Sequence, residues 1–147
     1  MILHAGLIAR RIDGRWRGVL VLGASGSGKS DLIIRAVDAG FRLVSDDRTV
    51  VWMAGGRLFG RAPDTLAGLI ELRGMGVLGE PALPMAEAVF AVRCEPPGSP
   101  VERVPEEAWE SIGEARIPLI AMHALEASAP AKLGRTLMRL GHGGTGA

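Results

Sequence analysis

The run Gly23-Ala24-Ser25-Gly26-Ser27-Gly28-Lys29-Ser30 follows directly on the apolar stretch Val19-Leu20-Val21-Leu22. A strand feeding such a loop into a helix leaves few folds open, because the glycines must turn backbone N–H groups inward around an anion. In this P-loop pattern Gly23, Ala24, Ser25, Gly26, Ser27 and Gly28 would form the cradle of a nucleotide's phosphates. Lys29 would reach the β/γ oxygens, and the Ser30 hydroxyl would ligate Mg²⁺. Of the 17 basic residues only Lys29 and Lys132 are lysines, and one of them occupies the single position where the loop requires a lysine.

A length of 147 residues fits one domain with a core of its own. Residues 1–140 are expected to form that domain and 141–147 a flexible tail. The formal charge of +1, with both signs interspersed, leaves no basic stripe for nucleic acid or a membrane surface. Cys94 is the lone cysteine, so no internal disulfide argues for export. No leader-like N-terminus and no run of membrane-spanning length is present, and a cytoplasmic protein is expected.

The spacing predicts a strand from His4 to Asp13, a tight turn at Asp13-Gly14 and a second strand from Trp16 to Leu22. Leu32, Ile33, Ala36 and Val37 then share one helical face, so a helix is expected from Lys29 to Ala39, ended by Gly40. Phe41 to Ser45 reads as a buried strand, and Thr49 to Met53 with Arg57 to Phe59 as a hairpin through Gly55-Gly56. Asp64 to Ile70 reads as a short helical turn, Val89 to Cys94 and Ile117 to Met122 as strands, and Pro130 to Leu140 as an amphipathic helix.

Three features bear on the reaction. Leu43-Val44-Ser45-Asp46-Asp47 ends an apolar strand in two carboxylates, one helix after the P-loop. There one carboxylate can act on a metal and the other can take a proton from an attacking hydroxyl. An Asp-Asp pair is more commonly a solvated turn, but its place after an apolar strand favours the chemical reading. Glu71-Leu72-Arg73-Gly74-Met75-Gly76 sets a carboxylate and a guanidinium two apart. In a strand both would face one way, Glu71 toward Mg²⁺ and Arg73 toward phosphate. A surface ion pair and a turn explain that segment equally well. His4, taken alone, reads more readily as structural than as catalytic.

In this order, His4-Ala5-Gly6, Gly18 to Ser30, Leu43 to Asp47 and Leu69 to Leu78 resemble the HPr kinase/phosphorylase family. The resemblance implies an α/β fold: a P-loop kinase core similar to phosphoenolpyruvate carboxykinase, with a mixed sheet and flanking helices. It implies phosphoryl transfer from ATP, with Mg²⁺, to a serine of the phosphocarrier protein HPr. It also implies a homo-oligomer, hexameric in the family. Carried over, Lys29 holds phosphates, Ser30 and Glu71 ligate the metal, Asp47 is the general base with His4 and Asp46 beside it, Arg73 supports, and Arg103 resembles the catalytic arginine.

The chain departs from the family in beginning close to the catalytic domain and in carrying Asp31 after the P-loop serine where the longer members carry Glu. Its Ile117-Pro118-Leu119-Ile120-Ala121-Met122-His123 stands where the family has Pro-Val-x-Pro-Gly-Arg, a segment used in removing phosphate. Forward transfer is therefore expected to outpace reversal. A kinase for another hydroxyl acceptor and a nucleotide-sensing module without turnover are the competing readings.

Overall fold

A computed structural model describes residues 1–141. The chain opens with β1 (Ile2–Leu3), β2 (Gly6–Ile12) and β3 (Arg15–Leu22), and the P-loop then leads into α1 (Lys29–Asp38). β4 (Arg42–Ser45), β5 (Thr49–Ala54) and β6 (Arg57–Arg61) follow, with a 3₁₀ turn at Asp64–Leu66. Next come β7 (Leu69–Leu72), β8 (Gly76–Gly79), β9 (Ala86–Glu95), β10 (Ala108–Ile112), β11 (Ala115–His123) and α2 (Ala129–Gly141). The expected tail lies, apart from Gly141, outside the described residues.

Nine strands form one mixed sheet in the order β1-β5-β6-β9-β3-β2-β4, while β11 joins the end of β9 and carries β10 on its outer side. β3 and β9 are parallel, as are β9 and β11, and β4 and β5, each reached through one antiparallel neighbour, run with them, so five strands send their carboxyl ends the same way. β7 and β8 form a separate antiparallel hairpin.

The period of two in β2 and β3 divides the core. Ile8, Val19 and Val21 face one side with Leu32, Ile33, Phe41, Leu133 and Leu137, beneath the two helices. Leu7, Ala9 and Leu20 face the other side with Val44, Val51, Leu58 and Ile117, where the curling sheet covers itself. The architecture is thus mixed α/β, with the helices packed on one face.

α1 ends where the sequence indicates. The Gly40 N–H donates to Val37 O at 3.1 Å and the Phe41 N–H to Ala36 O at 3.0 Å, a Schellman closure in which Gly40 takes φ 107°. The hairpin through Gly55-Gly56 also forms, at positive φ in both residues. Two expectations need correction. The helical turn stops at Leu66, and Leu69-Ile70 belongs to a strand, drawn there by burial of Ile70 under the helix-side core. Arg73 lies in the turn between β7 and β8 rather than in the strand with Glu71, so the same-face argument does not place it.

Candidate active site

Gly23 to Gly28 bridge the end of β3 and the start of α1. Gly23 has φ 147°, and a Cβ there would stand 2.5 Å from Ser27 Oγ and 3.1 Å from Cys94 Cβ, so a side chain would push the loop off β9. Gly28 caps α1 at φ 92° without any side-chain cap. The first N–H groups of the helix therefore stay turned toward the loop, which is the anion-binding property of a helix N-terminus. Lys29 is buried and its Nζ donates to Gly23 O at 2.6 Å, curling over the loop it follows. Ser27 Oγ is buried without a hydrogen-bond partner among the described residues, and an orphaned hydroxyl in such a cradle fits an anion.

The two carboxylates at the end of β4 diverge. Asp46 is buried; its Oδ1 accepts from Ser30 Oγ at 2.9 Å and its Oδ2 from the Glu71 N–H at 3.0 Å. It thus ties the P-loop serine to the strand that carries Glu71. Asp47 turns away at φ 66°, a left-handed conformation that Asp tolerates better than most side chains. Its Oδ1 lies 2.8 Å from His4 Nε2, both side chains more than half exposed.

That turn is held by hydroxyls the sequence reading missed. Thr49 Oγ1 donates to Ala5 O at 2.7 Å, which leaves Ser45 Oγ to donate to Thr49 at 2.5 Å. The link fixes the backbone beside His4 against the backbone beside Asp47. Ser45 lies in the acidic strand run, but no pattern in the sequence assigns its hydroxyl to Thr49 or ties Thr49 to Ala5.

These groups open on one cleft of about 950 Å³. Lys29, Ser30, Asp46, Asp47, Glu71 and Arg73 line it, with Ser25, Gly26 and Gly28 of the loop. Gly23, Ala24, Ser27, His4 and Arg103 are not among the lining residues, though His4 reaches the cleft through Asp47. Arg103 sits exposed in the irregular stretch 96–107. Leu125, another residue sequence reasoning passed over, lines the cleft from the turn after β11. Ile117 to His123, compared above with an arginine-bearing segment, form most of β11, a strand paired with β10 up to Leu119 and with β9 from Leu119 on, rather than a loop.

No group of three or more His, Cys, Asp or Glu side chains forms a metal cage among the described residues. A hydroxyl and a carboxylate beside a phosphate cradle suit Mg²⁺, which takes few protein ligands and completes its shell with phosphate oxygens and water. Beneath the loop, burial pushes the Cys94 thiol up to about 11, against the pull of the Lys29 and Arg35 cations.

The family described as HPr Serine kinase C-terminal domain matches residues 9–84, which include the P-loop, the acidic pair, Glu71 and Arg73 but neither His4 nor Arg103. An HPr kinase/phosphorylase of Mycoplasmopsis pulmonis is 33% identical over 84% of this chain and 41% of its own length. One from Clostridium tetani is 34% identical over 52% of this chain and 25% of its own length. The chain therefore spans well under half the length of these curated relatives. The solved structure of the HPr(Ser) kinase/phosphatase from Coxiella burnetii is similar over 97% of this chain and 96% of that one, at 26% identity and a TM-score of 0.77.

Proposed function

This chain belongs to the HPr serine kinase C-terminal domain family, and on that premise we propose that it is a Mg²⁺-dependent kinase that transfers the γ-phosphate of ATP to a serine of HPr. Carrying the reading is the double contact of Asp46, which holds Ser30 and the Glu71 backbone together at the mouth of the phosphate cradle.

Lys29 and the loop N–H groups would bind the phosphates, and Ser30 and Glu71 would hold Mg²⁺, which would neutralise charge on the transferring group. Asp47, half exposed on the cleft, is placed for a hydroxyl carried by another protein. It accepts the seryl proton as the oxygen attacks in line, and a proton donated by His4 Nε2 orients the carboxylate. Arg73 neutralises phosphate from the hairpin turn. Arg103 enters this scheme only if the 96–107 stretch, or that of a second subunit in a homo-oligomer, brings it to the cleft. No described helix is long and apolar enough to cross a membrane, in keeping with a cytoplasmic partner.

Asp47→Asn removes the proton acceptor and leaves the cradle intact. The expected result is Mg²⁺-ATP binding by calorimetry close to that of the unaltered chain, with transfer to serine slower by roughly two to four orders of magnitude. Lys29→Ala is expected to lose both. Unimpaired transfer by Asp47→Asn would overturn the assignment of the base.

A further inference from the structure

The parallel strands β3, β9 and β11 end side by side, and in open α/β sheets small ligands sit beyond such ends. β3 delivers the P-loop. The segments after β9 and β11 enclose a second cavity of about 310 Å³, lined by Glu95, Pro97, Gly98, His123, Leu125 and Glu126. Leu125 lines this cavity and the phosphate cleft alike, so the two meet at its side chain. That leucine is 56% exposed and leaves an apolar face uncovered at the junction.

The walls are held from behind. Arg35 Nε donates to Asp31 Oδ1 at 2.6 Å, while its terminal nitrogens donate to Glu126 O at 3.1 Å and to Ala124 O. α1 thereby fixes the turn that carries Leu125. His123 Nε2 donates to Ser99 O at 2.5 Å and ties the proline-rich loop to the end of β11. Hydrogen bonds from Lys132 and then His123 hold the Glu126 carboxyl below the usual carboxylate range. The Glu95 carboxylate, by contrast, has no hydrogen bond or ion pair among the described residues.

We infer that this cavity seats the base of the nucleotide whose phosphates the P-loop holds, with Leu125 and Pro97 against the ring and Glu95 accepting from an exocyclic amine. The inference rests on the phosphate-binding reading above. A small, mostly apolar cavity with a few convergent polar groups is the usual form of such a subsite. A free carboxylate gives it a sign: adenine offers a donor at its 6-position, whereas hypoxanthine offers an oxygen that a carboxylate repels. A site built to receive a donor rejects the analogue that lacks it, because its own polar group is left unpaired.

Calorimetric titration with Mg²⁺-ADP, Mg²⁺-IDP and Mg²⁺-pyrophosphate tests this on the full chain. The unaltered chain is expected to prefer ADP over IDP by about tenfold or more. Glu95→Gln, whose amide can donate to the oxygen, is expected to shrink that preference to about threefold or less, with pyrophosphate affinity unchanged within about twofold. Pro97→Ala, at a residue that lines this cavity and not the phosphate cleft, is expected to weaken ADP about threefold and leave pyrophosphate unchanged. Equal affinity for ADP and IDP in the unaltered chain, or a parallel loss of ADP and pyrophosphate in Pro97→Ala, would overturn the base seat alone. Failure of the unaltered chain to bind pyrophosphate would overturn the phosphate reading and this one with it.

Discussion

At Asp46 the two carboxylate oxygens are divided between Ser30 Oγ and the Glu71 N–H, so this side chain organises the proposed metal ligands from behind. Asn at this position keeps one oxygen acceptor and turns the other into a donor facing a donor. Asp46→Asn is therefore expected to raise the Mg²⁺ concentration for half-maximal activity about tenfold, and at saturating Mg²⁺ to cost less than Asp47→Asn. A Mg²⁺ titration of both variants checks the order; a larger loss for Asp46→Asn at saturation would exchange the two roles. Cys94 gives a second test. Its thiol titrates near 11 in the fold against a reference value of 9.0, so unfolded chains ionise first as pH rises. The contribution is complete below about pH 9 and is lost as pH climbs through 11, up to about 2 to 3 kcal/mol. Urea midpoints from pH 8 to 11 should fall more steeply for the native chain than for Cys94→Ala. At this scale the P-loop and the acidic pair were legible because each is a short contiguous run. The His4 to Asp47 contact, 43 residues apart, was not derivable from spacing and entered only through resemblance.

The β7–β8 hairpin stands apart from the main sheet, and it carries Glu71, Arg73 and Met75 to the cleft. Ile70, almost fully buried in the helix-side core, is its anchor. Ile70→Ala should cost about 2 to 4 kcal/mol in global stability. It should also weaken Mg²⁺ dependence beyond what the stability loss explains, since Glu71 follows the anchor directly. Urea denaturation paired with a Mg²⁺ titration separates the two effects, and an unchanged Mg²⁺ midpoint would mean that Asp46 alone positions Glu71. Strands β2, β3 and β9 could be read as continuous apolar runs, because both their faces are buried, and the helices from a 3.6-residue stripe. β7, β8 and β10 could not. β8 is four residues bounded by glycine, and β10 buries only Ile112 of its five. Such strands are specified by their partners rather than by their own residues.

Over the whole molecule, the parallel order β3, β9, β11 aligns three strand ends, while β2 brings β4 and its acidic pair to the other flank of the P-loop. The cleft at the P-loop thus lies between a flank bearing the acidic pair and a flank bearing the second cavity. Local pattern reveals only the β2–β3 hairpin of that layout, since the β2–β4, β3–β9 and β9–β11 pairings join segments distant in sequence. On the proposed function, transfer chemistry would belong to the carboxylate side, with the acceptor serine approaching Asp47 from solvent. The most direct test is incubation of the chain with γ-labelled ATP, Mg²⁺ and HPr, followed by identification of the labelled residue. Label on a single serine of HPr, lost in both Lys29→Ala and Asp47→Asn, is the predicted result. Label on no residue of HPr, or transfer that persists in Asp47→Asn, would contradict the account.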